Sequence, residues 1–465
     1  MSRPMPGARD HAVVVGGSMA GLAAARVLAE HYARVTVLDR DVLPADARFR
    51  KGVPQGLHAH ALLARGREAL ETLFPGLGAE LVAAGAIESD LFADSVWFNH
   101  GVRLAAAPSG LIGLLVSRPM LEGLVRRRLM ERRNVRLLER CEVRGPTFDS
   151  RLDCVTGLEI DVGEGRQILA ADLVVDASGR FSRSPSWLQE LGFEPPSVDE
   201  VEVGIGYTTR LYRRRSGDAG GKRVVAVRGG APRYRFGVAL AQEDDRWIVS
   251  LGGYFGGNPP ADQESYDAFA RSLPVTEIAD IVANAEPLSP FRGFRFPASV
   301  RRRYERLPRF PAGYLVTGDA LCSFNPAYGQ GMAAAILEAM ALRDCLASAT
   351  GPLAPRFFSA AAKIVDTPWQ IAVGGDLEHP LVKGERTLSG RMLSWYIRWL
   401  HRAGALDASL GVRFLEVANL LAPPAALLAP AIAMKVLRGN LRRLHHTAGQ
   451  ARGASLLGGL GSVFR

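Results

Sequence analysis

Cysteine is scarce in this 465-residue chain. There are four, Cys141, Cys154, Cys322 and Cys345, with no CxxC spacing among them. That excludes a disulfide framework and a zinc ribbon and fits a reduced, cytoplasmic protein. Lysine is scarce too: five of the 57 lysine and arginine positions. With abundant alanine, the skew marks a GC-rich coding sequence rather than a polyanionic partner. No charge-free apolar run reaches membrane-spanning length; the nearest, ANLLAPPAALLAPAIAM (418–434), is broken by three prolines. The N-terminal stretch lacks the apolar core of a secretory leader. Acid is missing after Glu416, while Lys435, Arg438, Arg442, Arg443, Arg452 and Arg465 follow, so much of the net charge of +10 sits at the C-terminal end. The expected role of that tail is a solvated face, with peripheral membrane contact the lesser alternative and no nucleic acid partner.

What is present supports sizeable cores: 48% of the residues are hydrophobic and only 22% charged, over a length sufficient for two to three domains. HAVVVGG (11–17) is a β run, GSMAGLAAARVLAEHY takes a helical period, and RVTVLDRD (34–41) is a second β run, together a βαβ unit. SRPMLEGLVRRRLMER (117–132) predicts a helix. NVRLLERCEVRGPTFD, CVTGLEIDVGEG and RQILAADLVVDASG predict strands. From about Val201 the segments VEVGIGYTTRLYRR, KRVVAVRGG, RYRFGVALAQ and RWIVSLGGYFGG predict an antiparallel sheet, with QEDDR as a hairpin turn. YLVTGDA returns to strand and turn, GMAAAILEAMALRDCLA to helix, and the remainder is largely helical with proline-marked breaks.

Two motifs carry chemistry. In Gly16-Gly17-Ser18-Met19-Ala20-Gly21 the dinucleotide fingerprint appears with Ser18 at its middle position. Gly16 permits the tight turn and Gly21 close helix–strand packing, and a small residue at 18 lets backbone N–H groups approach a pyrophosphate. Asp39, with Arg40 beside it, ends the next strand, where an acid accepts the ribose hydroxyls of an adenosine. This half alone admits NAD or FAD. The second, GDALCSFNPAYGQGM (318–332), points to FAD. Asp319 is placed for a ribityl chain, and Gly329 and Gly331, followed by Met332, open a helix whose positive end favours a reduced flavin.

These motifs, in this order with VVDASGRFSRSPSWL between them, resemble the FAD-dependent, aromatic-hydroxylase-like group A monooxygenases. RKGVPQGLHAH, SRPMLE, DASGRFS and FNPAYGQGM look most like the branch of polyether-antibiotic polyene epoxidases. The resemblance spans roughly residues 10–345. It implies an α/β fold: a Rossmann-like, glutathione-reductase-type FAD domain (1–80, 115–195 and 291–350), an inserted antiparallel substrate domain (81–114 and 196–290), and a helical C-terminal region (351–465). It also implies reduction of FAD by NADPH or NADH, reaction with O2 to a flavin C4a-hydroperoxide, and transfer of one oxygen atom to a hydrophobic, polyketide-type small molecule. Epoxidation of an alkene in secondary metabolism is the implied reaction. Hydroxylation of an aromatic polyketide and double-bond reduction are its rivals. Arg118 matches the helix-borne arginine near the cofactor. The middle motif departs from the aromatic hydroxylases, which usually place Gly directly after Asp, whereas here Asp176 is followed by Ala-Ser-Gly179.

The stretch RFRKGVPQGLHAH (48–60) invites a metal reading, but two histidines at i, i+2 with no carboxylate or cysteine cluster nearby make a poor site. Arg50 and Lys51 are expected as cations beside a diphosphate or flavin, and His58 or His60 as cofactor contact or packing. Phe324 and Pro326 are the expected lining of the flavin's reactive edge, where the flavin itself carries the chemistry. Met392, Trp395, Tyr396 and Trp399 are expected as helix-packing core. GGYFGG (252–257) lacks dinucleotide spacing and is expected at a strand end. The W-x-W-x-I-P stretch of flavin halogenases is missing.

Overall fold

Five short strands make a parallel sheet in the order Tyr314–Val316, Leu173–Asp176, His11–Val15, Arg34–Leu38, Val135–Leu138. His11–Val15 is central and buried along its whole length, as a parallel strand covered on both faces must be. The computed structural model describes residues 9–443, apart from 45–47, 61, 164, 231–233 and 349. Arg452 and Arg465 of the basic tail lie outside the described residues. The helices Met19–Leu28, Arg118–Met130 and Gly331–Ala347 flank the sheet, and the main apolar core fills the space between these layers.

An eight-stranded sheet forms the second body, in the order 322–323, 292–302, 198–213, 246–254, 235–242, 224–228, 95–99, 102–103. Its pairs are antiparallel except 224–228 against 95–99, which run parallel. The stretch 292–302, placed by sequence with the cofactor domain, pairs along the 198–213 strand instead. Alternation in GFRFPASVRR makes it a strand, but its partner is chosen by long-range pairing. Helices Gln263–Arg271 and Glu277–Asn284 cover one face of this sheet around a separate core.

Two features of the C-terminal segment differ from expectation. Pro368 does not break its helix but lies buried inside Leu353–Asp376; packing outweighs the one hydrogen bond a proline forgoes. Met392 and Trp395 are 64% and 48% exposed, so they do not belong to the core, whereas Tyr396 and Trp399 pack against it. Helical spacing places residues on one stripe and does not say what faces the stripe. Among the described residues no helix is long and apolar enough to cross a membrane.

Candidate functional site

The first glycine motif turns between the central strand and the Met19–Leu28 helix. Gly16 has φ +106°, and a Cβ there would lie 2.5 Å from the Ala177 carbonyl oxygen. A Cβ on Gly21 would lie 1.8 Å from the Gly16 carbonyl oxygen, so both positions require glycine. Ser18 stands at the helix N-cap, yet its hydroxyl makes no cap. It accepts from Arg118 Nη2 (2.8 Å) and donates to Glu122 Oε2 (2.9 Å). The positive end of this helix is thus left without a side-chain acceptor, beside Ala20 in the wall of a large cavity.

Around that turn lies a buried charge cluster. Asp39 Oδ2 accepts from Gly17 N (2.8 Å) and Arg50 Nη1 (3.0 Å), and Oδ1 from Asp41 N (2.9 Å). Arg50 also donates through Nε to Glu122 Oε1 (2.8 Å), and Arg118 Nε donates to Glu122 Oε2 (3.2 Å). Arg50 is therefore neutralised by carboxylates while still lining the cavity, and the exposed Lys51 and Arg40 stand at its rim. Glu122, which closes SRPMLE but has no role assigned from sequence, joins Ser18, Arg50 and Arg118. Its signal in the sequence was the i, i+4 pairing with Arg118 on one helix face. Burial opposes its ionisation, but Arg118 and Arg50 outweigh that and hold its pKa below the ordinary value.

The second motif arrives from the other side. After Tyr314–Val316 the chain makes a 3₁₀ turn, Gly318–Ala320, that carries Asp319. Thr317 Oγ1 and Gly318 N both donate to Glu338 Oε2, each at 2.7 Å, tying the turn to the Gly331–Ala347 helix. Burial pushes the Glu338 carboxyl up to about 7, with the two donors opposing. Burial likewise raises Asp319, opposed by Arg118 and Arg180. Gly329 takes φ +69°, and the helix opened by Gly331 has no side-chain cap and no acid in its first turn. Asp319, Phe324, Pro326, Gly329, Gly331 and Met332 line the same cavity as Gly16, Ser18, Ala20, Asp39, Arg40, Arg50, Lys51 and Arg118. Among the residues of the two glycine motifs named for the cofactor, Gly21 alone stands behind the wall, where its work is packing.

The histidines separate. His58 is buried, 2.7 Å from Thr209 Oγ1 and edge-on to Tyr207 and Phe294, and burial lowers it to about 4. His60 lines the cavity and is pushed down to about 3, by burial first and then by Arg118. Gly252 and Gly253 lie in the strand Arg246–Tyr254, where a Cβ on Gly252 would lie 2.2 Å from the Phe236 ring.

The cavity measures about 1190 Å³ and runs from the two glycine turns to the large sheet and the C-terminal helices. That exceeds the roughly 300–1,000 Å³ of an ordinary ligand pocket, leaving room for an extended cofactor and a second molecule. Two uncapped helix N-termini, an acid on each side and basic residues at one rim suit a phosphate-bearing dinucleotide.

This architecture is the aromatic-hydroxylase fold of FAD-dependent monooxygenases and halogenases. The flavin-dependent brominase Bmp2 superposes with a TM-score of 0.62 at 14% identity, over 93% of this chain and 100% of that one. p-Nitrophenol 4-monooxygenase PnpA from Pseudomonas putida does so with a TM-score of 0.62 at 16% identity, over 88% and 98%. No protein-family profile matches the chain. By sequence, it belongs to the family of Protein Rv3254 from Mycobacterium tuberculosis, to which it is 37% identical over 419 residues, covering 87% of this chain and 86% of that protein.

Proposed function

We propose that this protein is an FAD-dependent monooxygenase that inserts one oxygen atom of O2 into a hydrophobic, polyketide-type substrate, by epoxidation of an alkene. The observation that carries the reading is the single cavity joining both glycine turns to an apolar pocket end. Bound FAD, reduced by NADPH or NADH, would supply oxygen activation and the transferred atom. The chain's own part is to bind, orient and exclude water. Asp39, with Arg40, would receive the adenosine ribose. The Met19–Leu28 N-terminus would receive the pyrophosphate, with Lys51, Arg50 and Arg118 nearby. Asp319 would hold the ribityl chain, and the Gly331–Ala347 N-terminus would face the flavin's negative charge. Phe324 and Pro326 would border the reacting edge, with an apolar wall beyond them that keeps water out. Epoxidation needs no protein base.

Aromatic hydroxylation is the second reading, and one observation favours it: a buried carboxyl, Asp376, stands behind two tyrosines of the cavity wall. The first experiment is to purify the protein and measure bound FAD, NAD(P)H-dependent O2 consumption and ¹⁸O incorporation from ¹⁸O2 with a polyene and with an aromatic polyketide. ¹⁸O in an epoxide supports the proposal. Reductant consumption with a saturated product and no need for O2 overturns it in favour of a reductase. Asp376 is raised to about 6 by burial, against Arg228 and its hydrogen bonds. A hydroxylase using it as base loses kcat as pH falls through about 6, whereas an epoxidase keeps a flat profile there.

A further inference from the structure

Four segments meet at one end of the cavity. Tyr254 ends the strand Arg246–Tyr254, Arg228 ends Val224–Arg228, Asn325 and Tyr328 belong to the second motif's loop, and Asp376 ends the helix Leu353–Asp376. Asp376 is fully buried. Its Oδ1 accepts from Tyr254 OH (2.8 Å), Asn325 Nδ2 (2.8 Å) and Tyr328 OH (3.1 Å), while Oδ2 is buried without a partner. Arg228 Nη2 donates to the Gly375 carbonyl (2.8 Å) and Tyr254 OH (3.3 Å), and its guanidinium lies 4.9 Å from the centroid of the Tyr328 ring. Arg228, Tyr254, Asn325 and Tyr328 line the large cavity among apolar neighbours such as Ala226, Phe236 and Ile371.

The backbone is shaped to allow this. Two glycines, Gly374 and Gly375, sit in the last turn of a 24-residue helix, where each weakens it. A Cβ on Gly375 would lie 2.1 Å from Tyr328 OH and 3.1 Å from Arg228 Nη1, whereas a Cβ on Gly374 would meet nothing within 4 Å. Gly375 makes room for the cluster; Gly374 does not.

The chemistry narrows the ligand. Both phenols give their protons to Asp376, so the Tyr328 oxygen offers its lone pairs and the Tyr254 oxygen the one that Arg228 leaves, and the Arg228 and Asp376 charges balance. A carboxylate ligand would bring a second negative charge toward Asp376, and a bare hydrocarbon would leave the phenol oxygens dry. We propose that Tyr254 and Tyr328 are specificity-determining residues that select a substrate bearing a neutral hydroxyl on an apolar skeleton, with Asp376, Arg228 and Gly375 as positioning residues. The substrate O–H donates to a tyrosine oxygen. This rests on the reading that the cavity takes a substrate beside the flavin.

The test is binding without turnover, by titration calorimetry on the FAD-loaded protein with no reductant. The probes share one skeleton: 2-naphthalenemethanol, 2-methylnaphthalene and 2-naphthoate. The alcohol is expected to bind about tenfold tighter than either analogue, the worth of one hydrogen bond in a dry site. Tyr328→Phe and Tyr254→Phe bring the alcohol-to-hydrocarbon ratio close to one with the hydrocarbon affinity kept. A merely structural role would move both affinities together. Gly375→Ala abolishes the preference, and Gly374→Ala retains it. Equal affinities in the unaltered protein, a preference for the naphthoate, a ratio that survives both tyrosine variants, or no binding of any probe overturns the proposal. Because no oxygen chemistry is read, these outcomes are separate from failure of the monooxygenase reading, which flavin content and ¹⁸O incorporation report.

Discussion

Glu122 shows how one side chain organises a site that motifs describe only in pieces. It receives Arg50, Arg118 and the Ser18 hydroxyl in a buried cluster. Removing one partner of such a cluster leaves uncompensated charge, so Glu122→Gln is expected to cost about 3 kcal/mol or more by urea denaturation at pH 7. Its pKa is held below the ordinary 4.5 in the folded chain. The stabilisation is therefore complete above that value and lost as pH falls through the lower folded value. Melting curves between pH 3 and 6 should show a shallower acid limb in the variant. Glu338 runs the other way. Its folded pKa is about 7 against 4.5 unfolded, so the folded chain keeps a proton the unfolded chain has released. Stability declines as pH rises from 4.5 to 7 and is level beyond, by roughly 3 kcal/mol in all. Glu338→Gln should remove that decline, read as the difference in Tm between pH 5 and pH 8.

At the scale of elements, the strand–turn–helix units were legible because their signals are local. HAVVVGG and YLVTGDA run from apolar stretches into glycine turns, RVTVLDRD ends in acid, and all three form parallel strands. Gly21 closes the first unit by letting the helix reach the strand's end. Gly21→Ala is expected to destabilise the fold by about 1–3 kcal/mol and to reduce retained flavin, measured as FAD per chain after gel filtration. Less legible were elements decided by their neighbours: Pro368, held inside its helix by packing, and the solvent-facing Met392 and Trp395.

Across the whole molecule, the C-terminal segment is not an appendage. Phe357 and Phe358 belong to the main core around the parallel sheet, and Asn419 Oδ1 accepts from Ala64 N at 3.0 Å. Ile371, Phe414 and Asn419 help wall the cavity. Phe357→Ala, at a fully buried position, should cost about 3–5 kcal/mol. Fluorescence and circular dichroism should then report one shifted unfolding transition, not an early one confined to the C-terminal helices.

The sequence by itself determined the class of the fold and the two glycine turns. Those depend on short-range requirements: a φ that only glycine tolerates at Gly16, a missing Cβ at Gly21, an acid ending a strand at Asp39. Only the tertiary structure decided that Arg50 is neutralised by Asp39 and Glu122, that 292–302 joins the large sheet, and that Asp376 stands behind Tyr254 and Tyr328. Asp376 lies 122 residues from the first tyrosine and 48 from the second. No local pattern ties them; burial brings them together because a carboxylate, once removed from water, must be met by donors wherever in the chain they lie.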